Sequence, residues 1–444
     1  MHFHILPAVL ATALTPGLFG AQEPLSLHDA LARAQTQNPE LKAMRERASA
    51  SISRGEATRK QNLPRAGVLL TAERTDNAAS VFAHKLNAGE FSSEDFEIAR
   101  LNAPGALSHL GTSLFVEVPV DIAGRVGLAA DGQAAGNRAF AQNIREAESA
   151  LRLHVTEAYF GAVLARQEVE ATEKALLAAK SREQVTQERF AEGLALQADV
   201  LRVRARRRSR EADLASHRAD FAVAQAMLAR LMGSPDGAAF DLTDLLDPQS
   251  SSDTLDAWKA RAEIERPALI ASQEHRTAAG LALRLEEKSS WPELAAQARL
   301  MDDRTSFSGG GRSWAIGATL RWNVFDATRG KRVAAALADE RATAEDERAT
   351  HDRVRYEVES TYRRLVAAQE RLTAARGGAL EGREALRVVQ ERRTQGLATL
   401  TDELETEAAA FAAELEEINA ARNAVLAEAA LKRAAGHTLG SPMQ

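Results

Sequence analysis

Residues 110–120 alternate in polarity. Leu110, Thr112, Leu114, Val116, Val118 and Val120 share one parity, and Gly111, Ser113, Phe115, Glu117 and Pro119 the other. Residues 313–324 repeat the pattern, with Trp314, Ile316, Ala318, Leu320, Trp322 and Val324 set against Ser313, Ala315, Gly317, Thr319, Arg321 and Asn323. Shorter stretches at 66–74 and 294–301 alternate likewise, placing Glu73, Gln297 and Arg299 on the polar side. A period of two predicts four β-strands, each with one apolar and one polar face. Strands of this length suit a barrel that crosses an outer membrane, with Trp314 and Trp322 near its two interfaces and Glu117 and Arg321 facing its lumen. A soluble antiparallel sheet with one face on a core alternates identically, so the pattern alone leaves both architectures open. Four strands cannot close a lipid-spanning barrel, which needs about eight, so the membrane architecture requires several chains to pool their strands.

Between the strands the periodicity is helical. Helices are predicted over about 26–62 and 254–290, beginning after Ser26 and after Asp253 and Thr254 as caps. Two much longer ones are predicted over about 126–191 and 330–394. Each ends in a Gly-Leu turn, Gly193-Leu194 and Gly396-Leu397, that reverses it into a second helix, about 196–231 and 399–435. The first of these return helices stops at the Gly-Ser-Pro-Asp-Gly run from Gly233. A helix of ~65 residues spans on the order of 100 Å. It cannot fit inside a compact domain and has to pack lengthwise, as in a coiled coil or helical barrel.

The plan occurs twice. The octapeptide from Leu27 to Ala34 aligns with that from Leu255 to Ala262 at an offset of 228 residues, and Pro39, Leu41 and Pro64 find Pro267, Leu269 and Pro292 at the same offset. Farther on, the segment around Gly193 aligns with that around Gly396 at an offset of 203. A longer loop between the two strands of the first copy explains the fall. The chain thus divides into a secretory signal at 1–21, a first repeat at 22–237, a linker at 238–253, a second repeat at 254–436 and a tail at 437–444.

Composition narrows the function. Aromatic residues are 5% of the chain, the profile of long helices, and the formal net charge of −6 points to no polyanionic partner. With no cysteine, disulfides, thiolate metal sites and a lipid-modified N-terminal cysteine are excluded. No segment after the signal approaches the ~20 apolar residues of a membrane helix, so any membrane insertion must use the strands. The arginine run from Arg202 to Arg210 lacks interleaved aromatics and reads as a solvated or interhelical salt-bridged surface, not a nucleic-acid site. Gly309, Gly310 and Gly311 read as a hairpin tip, the dispersed histidines suggest no metal site, and no catalytic or cofactor-binding constellation is present.

Several short stretches resemble the TolC-like outer-membrane efflux protein family. They are Leu25-Ser26-Leu27 with Ala30, Asn38-Pro39-Glu40-Leu41, Leu63-Pro64, the strand-to-helix stretches from Val118 to Gly124 and from Trp322 to Asp326, the two Gly-Leu-Ala turns, and Ala434-Ala435-Gly436. The resemblance implies a mainly α protein with a small β part, built from a duplicated helix-strand-strand-long helix-helix unit. It also implies a homotrimer whose chains each give four strands to a twelve-stranded barrel in outer-membrane lipid, joined to an α-helical tunnel through the periplasm. Gly193, Leu194, Gly396 and Leu397 would then be tips that meet a periplasmic adaptor protein. Asp402 and Glu405, just past the second tip, would ring the constriction. The likeness of the segments 81–87 and 101–104 to a subset of the family implies an inner-membrane pump of the resistance-nodulation-division type. On this reading the protein is a passive channel of a tripartite efflux system. The alternatives are the exit duct of a type I protein secretion system and, in another class, a periplasmic coiled-coil scaffold.

Overall fold

A computed structural model describes residues 23–234, 238–246, 253–306 and 310–437. The expected signal at 1–21, Gly309 and most of the tail lie outside the described residues. In chain order the elements are β1 (Glu23–Leu25), α1 (Leu27–Gln37), α2 (Pro39–Arg59), β2 (Arg65–Thr75), α3 (Ala78–Asn87), α4 (Ile98–Asn102), β3 (Leu107–Val120), α5 (Arg125–Ala191) and α6 (Gln197–Met232). They continue with β4 (Phe240–Leu242), α7 (Leu255–Glu265), α8 (Pro267–Glu287), β5 (Glu293–Arg304), β6 (Gly311–Arg321), α9 (Arg329–Thr394) and α10 (Leu400–Ala434). Corresponding helices of the two halves match in length: 11 and 11 residues, 21 and 21, 67 and 66, 36 and 35. Between β2 and β3 lie 31 residues and between β5 and β6 six. The excess of 25 equals the fall in repeat offset from 228 to 203.

Two sequence expectations need correction. The first helix of each half is not continuous. It breaks at Asn38 and at Arg266, which adopt extended ψ values of 123° and 116°. Each precedes a proline, whose Cδ crowds the helical conformation of the residue before it. The last strand is also shorter than expected: β6 ends at Arg321, leaving Trp322, Asn323 and Val324 outside it. Its ladder with β5 stops at the Glu293–Arg321 pair, because the next residue on β5's side, Pro292, has no N–H to give.

These breaks seat the molecule's waist. Asn38 caps α2, accepting from Leu41 N at 3.1 Å, and its amide donates to Leu231 O in the last turn of α6 at 3.0 Å. Gly233 ends α6 with φ +69° against the break, where a Cβ would come within 2.7 Å of Gln37 O. In the second half Arg266 donates to Arg433 O at 2.6 Å, and Gly436, φ +79°, lies against Glu265 and Arg266. The cores gather here, halfway along the long helices. Leu25, Tyr159, Val163, Leu228, Met232 and Leu242 pack in the first half, and Trp258, Val358, Leu365 and Leu431 in the second. Strands β1 and β4 pair in parallel beside them. Burial raises the Tyr159 hydroxyl to about 12, so it stays protonated between Leu25 O and the Asp244 carboxylate, each 2.8 Å away.

At the other end of the long helices, Asp121 fixes the passage from strand to helix. Its carboxylate accepts from Arg125 N and Val126 N at 2.7 and 2.8 Å, capping α5. Asp326 holds the corresponding turn ahead of α9. Hydrogen bonds from Thr328, then Arg332, keep its carboxyl at about 2.

Left-handed glycines with and without a close neighbour should respond differently to substitution. Gly193→Ala, whose added Cβ meets open space, is expected to cost about 1 kcal/mol for its backbone alone. Gly233→Ala adds a backbone collision and is expected to cost about 3 kcal/mol. Unfolding in detergent ranks the two, and equal costs would show that the waist yields without resistance.

Candidate functional site

Strands β2, β3, β5 and β6 form one antiparallel sheet in that order. The register places Glu117 opposite Arg65 and Gln297, Phe115 opposite Gly67 and Arg299, and Arg321 opposite Glu293. Glu117 and Arg321 therefore share the polar face. The other face carries Val68, Leu70, Leu114, Val116, Leu300, Trp314, Ile316 and Leu320, which are between 41% and 77% exposed. Among the described residues no layer covers it. A soluble sheet would bury these side chains; here they form one continuous apolar surface, far beyond scattered exposed residues.

Polar groups bound this surface. At the end remote from the long helices, Asp302 pairs with Arg304 at 2.8 Å and lies 3.6 Å from Arg312, and Arg74 stands on the same face near the end of β2. At the helix-proximal end stands Trp322, just past β6, its indole donating to Ser290 O at 3.0 Å. Trp291 is exposed at the same level and was not singled out from sequence as an interfacial residue. Its position immediately before the strand-opening Pro292 is the signal for it. Among the described residues strands β2 and β6 each have a single neighbour, so both edges of the sheet have free ladders.

The opposite pole of the molecule carries two tips. At Gly193 (φ +78°) and Gly396 (φ +76°) the chain reverses through the same hydrogen bonds. Each glycine N–H reaches three residues back, and the leucine N–H reaches Arg189 O or Arg392 O at 2.7 and 2.8 Å. The turn accounts for both glycines. It does not account for Leu194 and Leu397, which are 67% and 73% exposed.

The two acids expected at the constriction differ. Asp402 completes a capping box: it accepts from Thr399 N at 2.8 Å and from Thr399 Oγ1 at 2.7 Å, and these bonds hold its carboxyl below the usual carboxylate value. Glu405 is exposed and has no hydrogen bond or ion pair among the described residues. Their neighbours Glu403 and Glu407 are buried. Arg182 of α5 bonds Glu403 at 2.8 Å and also contacts Glu407, while Arg393 of α9 contacts Glu403. Burial lowers the Arg182 pKa, and Glu403 opposes that shift. Arg210 of α6, 5% exposed, stacks over Phe411 at 3.9 Å. The arginine run is thus interhelical, with Arg204 and Arg207 both on Glu183 of α5. Charge links the two hairpins just behind their tips.

No helix among the described residues is long and apolar enough to cross a membrane. The family profile described as "Outer membrane efflux protein" matches residues 30–234 and 258–437. Outer membrane efflux protein BepC of Brucella suis is 27% identical over 316 residues, 68% of this chain and 67% of the relative. A membrane protein from Pseudomonas aeruginosa superposes with a TM-score of 0.79 at 20% identity, covering 94% of this chain and 91% of that one. A CusC structure described in connection with folding and transmembrane channel formation gives 0.78 at 13% identity and covers 98% of this chain and 97% of that one. At these identities the structural likeness establishes the fold.

Removing Arg182 strands the buried Glu407 carboxylate and leaves Glu403 to Arg393 alone. Arg182→Gln is expected to cost about 3–5 kcal/mol locally and to speed amide exchange in both tips. Arg182→Gln with Glu407→Gln should recover part of that protection; exchange unchanged by Arg182→Gln would mean the hairpins are held elsewhere. The α10 cap depends on ionised Asp402, whose pKa is lowered. Its protection is therefore expected to be full above the ordinary carboxylate value of 3.8 and lost only as pH falls through the lower folded value.

Proposed function

Because the chain belongs to the outer membrane efflux protein family, we propose that it is the outer-membrane channel of a tripartite efflux system, working passively as a homotrimer. The observation that carries this is the sheet: an exposed apolar face together with two unpaired edges. An open edge of this length invites another strand. Pairing β6 of one copy with β2 of the next satisfies both edges at once, and three copies close a barrel of twelve strands. The apolar face then meets lipid, with Trp314 toward one interface and Trp322, joined by Trp291, at the other. Glu117 and Arg321 line the lumen.

The long helices continue the barrel as a tunnel on the order of 100 Å long, placing the tips deep in the periplasm. There Leu194 and Leu397, exposed without a structural reason in the monomer, are the contacts for a periplasmic adaptor. The segments 81–87 and 101–104 support a resistance-nodulation-division pump as the inner-membrane partner. Past the second tip, Glu405 projects an unpaired carboxylate and Asp402 one that already serves the helix cap. Three copies bring these charges together and favour cations at the constriction. Widening that point requires the hairpins to part, so Arg182, Glu403 and Glu407 are where an energised partner has to act.

Planar-bilayer recording tests the channel. Purified protein is expected to give small cation-selective currents that grow or lose cation preference in Asp402→Ala/Glu405→Ala. No current from folded protein in either form would remove the channel reading, and identical currents would move the constriction elsewhere. The lipid face has its own test. Ile316→Arg is expected to abolish outer-membrane assembly, at a cost of about 2–4 kcal/mol per copy, whereas Thr319→Arg on the polar face should assemble.

A further inference from the structure

The segment between β2 and β3 does not stand clear of the sheet. Helix α3 crosses the polar face at the end remote from the long helices. His84 stacks on His109 of β3, with ring centroids 3.8 Å apart and planes within 14°. His109 Nε2 lies 2.8 Å from Asp303 of β5, and His84 Nε2 lies 3.4 Å from Glu73 of β2. At the end of α3 the Asn87 carbonyl sits over Gly311 of β6, where any Cβ would collide with it. Glu90 then clasps the turn after β5, accepting from Ser306 at 2.7 Å and also from Thr305. The segment rooted on two strands therefore reaches the other two. Glu73, His109, Asp303 and Gly311 all lie on the face that carries Glu117.

The segment has an interior of its own. Phe82, Phe91 and Phe96 meet edge to face at 4.7 and 5.0 Å. Lys85 bonds Asp95 at 2.6 Å, and Asp95 closes a capping box with Ser92. It is a small folded unit. Its hold on the sheet, by contrast, is polar and incomplete. His84 Nε2 and His109 Nδ1 are buried without a hydrogen-bond partner, the 3.4 Å approach to Glu73 lacking hydrogen-bond geometry. Unsatisfied buried nitrogens favour any state in which water reaches them. Lifting the unit loses the stack and the Glu90 clasp but hydrates both rings, which narrows the free-energy gap between closed and lifted states.

We propose that residues 76–106 form a lid over the outer mouth of the channel, held down on β3 by the His84–His109 stack and latched across the sheet by the Glu90 clasp. It is a second gate, at the opposite end from the helical tips. The inference rests on the polar face being the lumen, and the experiment separates the two. The chain has no cysteine, so Ser113→Cys, on the polar face beneath the lid, provides a unique thiol. Intact cells are treated from outside with a membrane-impermeant sulfonated maleimide. Labelling is expected to be slow in the parent and about tenfold faster with His84→Ala/Glu90→Ala added. His84→Phe, which keeps the stack, should stay near the parental rate. Heat stability of the assembled protein checks that each variant folds.

Fast labelling in every form would show that the unit covers nothing and overturn the lid. Slow labelling in the latch variants, relieved only when 78–103 are replaced by a short Gly-Ser turn, would overturn the latch. No labelling even then would overturn the lumen assignment itself.

Discussion

Arg266 is 3% exposed, and its guanidinium reaches Glu146 of α5 and Glu357 of α9 at 2.9 Å each, as well as Arg433 O at the end of α10. Arg433 bonds the same two glutamates at 3.1 and 3.0 Å. Two cations and two anions therefore tie both long helices to the break between α7 and α8 and to the close of the chain. Such a network adds little net stability over an apolar core, but losing one member leaves uncompensated buried charge. Its value lies in register. Helices of 67 and 66 residues have few ways to know where along their length to meet. The waist supplies one fixed point, from which the sheet at one pole and the tips at the other take their positions.

The corresponding residue of the first half is Asn38, which does similar work without charge: it caps α2 and bonds the last turn of α6. The backbone event is shared, a proline-imposed break docked on a left-handed glycine, and the side-chain solution is not. That explains which parts of the molecule were legible in the sequence. Lengths, order and duplication are carried by proline, glycine and period, which act locally and survive divergence. The break itself was misread as continuous helix because Pro39 and Pro267 also suit the first turn of a helix, and helical spacing persists on both sides.

The tip region shows the opposite limit. Asp402, Glu403, Glu405 and Glu407 lie within six residues on one helix, and nothing in their spacing says which are solvated. The answer comes from Arg182, more than 200 positions away on α5 and placed there only by the folded hairpins. Resemblance directed attention to Asp402 and Glu405. Packing adds that Glu403 and Glu407 hold the hairpins together and that Asp402 already has a local task. Of the four, Glu405 alone has neither a burial nor a bonding reason to be acidic.

The sheet differs again, since its alternation was plain but ambiguous. One apolar parity serves a soluble core or a bilayer equally well, and the choice depends on what covers that face. Within the described chain nothing does, while the polar parity is partly covered by the chain's own α3. An insertion that served a soluble fold would have been expected to shield the apolar side, where burial brings the larger gain. This one crosses the polar side instead, leaving the apolar surface bare and setting histidines against carboxylates. On the proposed reading the two faces divide as a membrane protein requires, the apolar one kept for lipid and the polar one carrying the proposed lid.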